Sequence, residues 1–294
     1  MKKVIVIVGP TATGKSKLAV NLALKIGAEI ISGDSIQVYK GLDIASGKIR
    51  QDEMKGVKHH LIDILEIGQD YSVADFQRQA RKLISEIDVP IICGGTGLYV
   101  KAALTNYQFN GPSRDFNFEE KYQDYSDQDL YNVLVDLDKA QAEKIHPNNR
   151  KRVLRAIYMA EAGNKISENV LKDEYLYDAY IIYLNQERAS LYEKIDKRID
   201  KMFREGAVEE NRKLYQNNQY VEGIGYREFK DYFDGNKTLD EVKEMIKLDS
   251  HHYAKRQLTW FNHQMESHFY DSSLPIDVLT DQVYQDVVKF LSGE

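Results

Sequence analysis

Cysteine is almost absent: Cys93 is the single one among 294 residues. No intrachain disulfide can form, and no cysteine-built zinc cluster is available. Cys93 lies in VPIICGG, where a lone thiol is expected as a small buried core residue. Only five prolines occur, no tract is of low complexity, and no internal repeat of fixed period is visible. Long apolar runs are missing too. The N-terminal one, Val4 to Val8, falls far short of the ~20 residues a membrane span needs. It also lacks the longer apolar region and small-residue cleavage site of a secretory signal. No membrane association and a cytoplasmic address are therefore expected. Nor is there an excess of positive charge: the net is −6, whereas domains coated by nucleic acid are usually basic. Local distribution matters more than the sum. Three basic stretches stand out: RKRVLR at 150–155, KIDKRIDKMFR at 194–204 and HHYAKRQ at 251–257.

What is present reads as alternating strand and helix. Lys3 to Val8 is a β-branched run suited to a buried strand, and Ser16 to Ile26 has apolar residues at helical spacing, with Gly27 as a stop. Glu29 to Ser32 predicts a second strand, Ala74 to Ile87 a helix and Pro90 to Cys93 a third strand. This is the pattern of a parallel α/β sheet. From Pro112 to Ile145 the chain is polar, acidic and helical in spacing. His146-Pro147-Asn148-Asn149 then reads as the entry to a basic helix running to Ala162. Tyr180 to Leu184 is a further strand candidate, and helical periodicity dominates over Arg188–Lys213 and Leu239–His263. The expected fold is an α/β phosphate-loop core with a helical insertion and a mostly helical C-terminal half. The expected parts are 1–110 for the first part of the core, 111–145 for the insertion and 146–294 for the return to the core.

Gly9-Pro10-Thr11-Ala12-Thr13-Gly14-Lys15-Ser16 matches G-x-x-x-x-G-K-[ST] at every fixed position. Its glycines let backbone N–H groups surround an anion, the following helix adds its dipole, Lys15 brings charge, and the Ser16 hydroxyl suits Mg²⁺. The motif identifies a di- or triphosphate, ATP among them, rather than a reaction. A nucleotide hydrolase also needs an acidic residue at another strand end, but the strand at 90–93 runs into Gly94-Gly95-Thr96 instead. Asp34 closes the second strand and faces the same crevice by strand-end logic. A carboxylate there accepts a proton from a nucleophile or simply caps a turn. Thr96 is open between donating to a leaving oxygen and serving a tight turn. His59-His60 and His251-His252 lack partners for a metal site, and the acidic stretch near 115–129 suits a solvated helical face.

Taken together and in order, GPTATGKS, DSIQVYKGLDI, HHLIDI, YSVADFQ, HPNNRKRVLRAI, LYEKIDKRIDKM, IGYRE and RQLTWF resemble the bacterial-type tRNA dimethylallyltransferases, also called tRNA isopentenyltransferases. The resemblance spans nearly the whole chain. One departure follows GLDI: the family's T-A-K-P is replaced by Ala45-Ser46-Gly47-Lys48-Ile49, which keeps the lysine and loses the proline. The resemblance implies that the loop holds dimethylallyl diphosphate and that the prenyl group moves to the adenine 3′ of the anticodon. It implies that Gly9 to Ser16 and Arg198 bind the diphosphate and that Asp34 takes the amine proton. Thr96 would bond the bridging oxygen. It assigns Ser35, Ile36 and Gln37, with Lys151, Arg152, Val153, Leu154 and Arg155, to the tRNA anticodon stem-loop. Lys151, Arg152 and Arg155 fall on roughly one helical face. RQLTWF at 256–261 fits either an RNA surface or core. Mg²⁺ is the expected cofactor and a monomer the expected state. Two other classes compete: a small-molecule or nucleoside kinase using ATP, and a non-enzymatic tRNA-binding module.

Overall fold

The structure is a computed structural model that describes residues 1–109, 116–168 and 174–293. Contacts divide it into two units, one formed by Met1–Asn106 with Tyr175–Glu294 and the other by Tyr107–Glu174.

In the first unit β1 (Lys3–Val8) leads through the glycine loop into α1 (Lys15–Ile26). There follow β2 (Glu29–Ser32), α2 (Gln51–Met54), β3 (His59–His60), α3 (Val73–Glu86), β4 (Pro90–Gly94) and α4 (Gly97–Leu104). The sheet has six strands. Its last two, β5 (Asp178–Asn185) and β6 (His268–Asp271), come from the C-terminal half, and the order is β3-β2-β4-β1-β5-β6. Every pair is parallel, with Val6 opposite both Ile92 and Ile181. A parallel sheet is covered on both faces, so its strands read as unbroken apolar runs. In β1, Val4, Val6 and Val8 pack with Phe76, Tyr99 and Phe261, while Ile5 and Ile7 pack with Leu18, Leu22 and Val283. Each of these five strand side chains is at most 1% exposed, and its burial stabilises the fold by roughly 1.5–3 kcal/mol.

The first face is covered by α3, α4, α9 (Arg188–Glu205), α11 (Phe229–Phe233) and α12 (Leu239–Gln264), and the second by α1 and α13 (Ile276–Ser292). The helical run expected over Arg188–Lys213 is two helices. Gly206, at φ 110°, ends α9 and opens α10 (Ala207–Gln216). The two edge strands β3 and β6 escape the apolar pattern because Phe269 is exposed and β3 spans two residues. His60 Nε2 lies 2.6 Å from Glu29 Oε2, a structural contact. Among the described residues no group of His, Cys, Asp or Glu could hold a metal, and no helix is long and apolar enough to cross a membrane.

The second unit holds α5 (Phe116–Glu120), α6 (Asp127–Leu137), α7 (Lys139–Ala142) and α8 (Arg150–Glu161). The helical stretch expected from Pro112 begins outside the described residues, which resume at 116. The insertion extends past the expected end at 145. Val153, Leu154, Ala156 and Ile157 of α8 bury against Leu130 and Leu134 of α6, so the basic helix belongs to this unit and not to the return to the core. Asn149 caps α8 by accepting from the Arg152 N–H, as the HPNN entry suggests.

Candidate active site

The loop after β1 curls where three residues take positive φ: Gly9 at 147°, Ala12 at 64° and Gly14 at 81°. A Cβ on Gly9 would collide with the Leu184 carbonyl of β5. Inside the curl the Pro10 carbonyl accepts from Thr13 Oγ1 at 2.8 Å and from Lys15 Nζ at 2.6 Å. Burial lowers the Lys15 pKa to about 8; Cys93 opposes this, Arg198 reinforces it and Asp34 opposes it. Lys15 is thus a cation at neutral pH, held where an anion would be welcome. Ser16 is exposed on the wall of the same cavity. Cys93 is buried at the end of β4, and burial pushes its thiol up to about 11, in line with its expected core role.

Two further strand ends meet this loop. Gly33 and Gly94 touch so closely that a Cβ on Gly94 would strike the Gly33 backbone. Asp34 follows directly, and its Oδ1 accepts from the N–H groups of Ile36 at 2.8 Å and Gln37 at 3.2 Å. One carboxylate oxygen therefore holds the turn, and Asp34 still lines the cavity. The turn-capping reading of this residue is what these contacts show. Thr96 precedes α4 without using its side chain as a cap. Thr96 and Tyr253 of α12 line the same cavity, and burial pushes the Tyr253 phenol up to about 12.

Arg198 reaches in from α9. Its Nη1 donates to Thr11 Oγ1 at 2.9 Å and its Nη2 to the Gly47 carbonyl at 3.4 Å. Burial lowers its pKa, and Asp34 opposes the shift. The altered loop after Ile44 is what Arg198 leans on. Gly47 has φ 61°, and a Cβ there would overlap the guanidinium as placed. Lys48, 8% exposed, anchors the loop by donating to Asp43 at 2.6 Å, Asp63 at 2.5 Å and the Tyr39 carbonyl at 2.8 Å. From α10, Glu210 accepts the successive N–H groups of Asp43, Ile44 and Ala45 at 2.7–3.0 Å. Tyr226 donates to Glu210 and accepts from the Ser46 N–H, both at 3.0 Å.

One cavity of about 1550 Å³ is lined by Thr11, Ala12, Gly14, Lys15, Ser16, Asp34, Ser35, Ile36, Gln37, Thr96 and Arg198. Gly9, Pro10 and Thr13 shape the loop from behind, and Thr13 is only 3% exposed. In the second unit Lys151, Arg152 and Arg155 are exposed, and Arg155 lies over the Tyr158 ring. Val153 and Leu154 are 0% and 7% exposed in that unit's core. Their side chains cannot serve as an RNA surface, contrary to the sequence expectation, because neighbours on a helix point about 100° apart. The sequence also missed Tyr253, Gln257, Glu210 and Tyr226. RQLTWF contains one of them: Gln257 is 6% exposed and hydrogen-bonded to the phosphate loop, while Trp260 covers Gly97 and Arg256 stays exposed at the cavity.

The model of the family described as IPP transferase matches residues 37–264. The tRNA dimethylallyltransferase of Geobacillus thermodenitrificans is 45% identical, over all of this chain and 97% of its own length. That of Bacillus subtilis is 43% identical over 94% of this chain and 92% of its own. Among solved structures, the tRNA isopentenylpyrophosphate transferase of Bacillus halodurans superposes with a TM-score of 0.77 at 38% identity, covering 100% and 98% of the two chains. A eukaryotic dimethylallyltransferase acting on tRNA gives 0.84 at 28% identity, covering 100% and 80%. With the phosphate loop, Asp34, Thr96 and Arg198 on one cavity, the chain belongs to the IPP transferase family.

Proposed function

We infer that the protein transfers the dimethylallyl group from dimethylallyl diphosphate to the exocyclic amine of the adenine 3′ of a tRNA anticodon. The observation that carries this reading is the convergence of Lys15, Arg198, Asp34 and Thr96 on one cavity. Two cations stand at the phosphate loop, and a carboxylate and a hydroxyl stand at the neighbouring strand ends. A nucleoside kinase would use the same loop, but here β4 ends in glycine and threonine rather than an acid.

In the reaction the amine nitrogen attacks the allylic carbon, the carbon–oxygen bond breaks, and diphosphate leaves with the electron pair. An aromatic amine is a weak nucleophile, so the leaving charge must be neutralised. Loop N–H groups, Lys15 and the fork of Arg198 supply this. Thr96 donates to the bridging oxygen. Asp34, with Oδ1 fixed by the turn, accepts the amine proton as the new bond forms. Mg²⁺, when bound, adds positive charge at the diphosphate. The ligand this chain offers it is the Ser16 hydroxyl, which fits an ion that takes few protein oxygens and fills its shell with phosphate and water.

The adenine must leave its loop stack to reach Asp34. Ser35 and Gln37 line its path, and Lys151, Arg152 and Arg155 bind backbone phosphates of the anticodon stem-loop. On this reading the protein acts as a monomer, in the cytoplasm with its tRNA. The test is incubation with unmodified tRNA, Mg²⁺ and dimethylallyl diphosphate, followed by mass spectrometry of the nucleosides. An adenosine heavier by one dimethylallyl group is expected. Unmodified RNA, with ATP consumed on a small acceptor, would replace this reading by the kinase.

A further inference from the structure

Gln257 lines the cavity and touches both halves of the site. Its Oε1 accepts from the Thr11 N–H of the phosphate loop at 3.0 Å. Its Nε2 donates to the Gly95 carbonyl, one residue before Thr96, at 2.9 Å. It is only 6% exposed, so neither bond is readily exchanged for water. Tyr253, one turn earlier on α12, lines the cavity together with Gln257 and Thr96. Gly95 leaves room for the amide, since a Cβ there would overlap Nε2. The two loops thus meet through one amide side chain, which has both the acceptor and the donor that the pair of contacts demands.

We propose that Gln257 is a positioning residue that fixes the spacing between the diphosphate cradle and Thr96. The proposal rests on the transferase reading for what that spacing achieves. Bond breaking needs the diphosphate held by the loop while Thr96 meets its bridging oxygen. Gln257 makes these one rigid unit rather than two loops that drift independently. A misplacement of about 1 Å between reacting groups costs on the order of 100-fold in rate.

The experiment is a double-mutant cycle with Gln257→Ala, Gly95→Ala and the pair, read with dimethylallyl diphosphate and an anticodon stem-loop RNA. Gln257→Ala removes the clamp. Gly95→Ala pushes the amide out of place while leaving it present. Each single variant is expected to lower kcat by roughly 10- to 100-fold, with stem-loop affinity within about twofold of the parent. The pair is expected to be no slower than the worse single variant, because the same contact is lost only once. Multiplicative losses, or parent kcat in Gln257→Ala, would overturn the proposal. Amide hydrogen exchange at Thr11 in the free protein separates the clamp from the activity. Exchange at Thr11 should quicken in Gln257→Ala, and unchanged exchange there refutes the clamp whatever the enzyme transfers. An inactive parent with quickened exchange would reject the transferase reading alone and uphold the clamp.

Discussion

Lys15 should make donor binding depend on pH in a way that a solvent-exposed lysine would not. Its pKa in the free protein is about 8, lowered chiefly by burial and further by Arg198, while Cys93 and Asp34 pull the other way. A bound diphosphate places negative charge beside the ammonium and raises that pKa again. Above pH 8 the complex therefore holds more protons than the free protein, and affinity must fall as pH rises. Below that pH Lys15 is charged in both states and its contribution is flat. At about pH 9.5 only ~3% of free Lys15 is protonated, so the donor Kd should be weaker by roughly 30-fold than at pH 7. The assay is calorimetry with a non-reactive dimethylallyl diphosphate analogue, whose last phosphate ionisation near ~6 lies below the range scanned. Repeating it in two buffers of different ionisation enthalpy counts the proton taken up. Lys15→Arg should bind with no pH dependence in this window, since guanidinium stays charged throughout. A Kd constant from pH 7 to 9.5 in the parent would refute the claim that burial sets the Lys15 charge.

Asp34→Asn keeps an oxygen for the Ile36 and Gln37 N–H groups, so the turn should survive while proton acceptance is lost. Steady-state kinetics should show kcat down by about 10²–10⁴-fold with stem-loop binding retained, and parent-like turnover would remove Asp34 from that role. Replacing Lys151, Arg152 and Arg155 together by Ala should weaken tRNA binding and reduce the salt slope of log K by up to ~2. Donor binding should be unchanged, and an unaltered salt slope would take the RNA away from α8. Glu210→Ala leaves three adjacent N–H groups without their carboxylate. Because they are partly exposed the net loss should be about 2 kcal/mol. Thermal unfolding should show it as a drop of a few degrees in Tm, with a raised KM for the donor as the Gly47 contact to Arg198 loosens.

What the sequence made legible follows the range of the interactions. The phosphate loop is one contiguous segment whose backbone is dictated by its own glycines, so eight residues sufficed to place it. Asp34 and Thr96 could be located because a parallel sheet puts all its carboxyl ends on one side. Arg198 was reached only through family resemblance, since nothing in KIDKRIDKM says which of its basic residues turns inward. Gln257 and Glu210 act across 246 and about 165 residues of chain, and no local pattern encodes such a pairing. Val153 and Leu154 were misplaced because a motif is read as a string, while a helix sends its neighbours to different faces. The insertion boundary moved for the same reason: α8 looks basic in sequence, but its buried side decides which unit it joins.

Those long spans have a consequence for synthesis. The loop proposed to cradle the diphosphate leaves the ribosome well before Arg198 and Gln257, which brace it from far later in the chain. At about 5–20 residues per second, roughly 10–50 s separate the emergence of Thr11 from that of Gln257. A nascent chain, or one released early, carries the signature motif and no finished pocket. Completion of the pocket then waits until α12 has emerged and closed on the sheet.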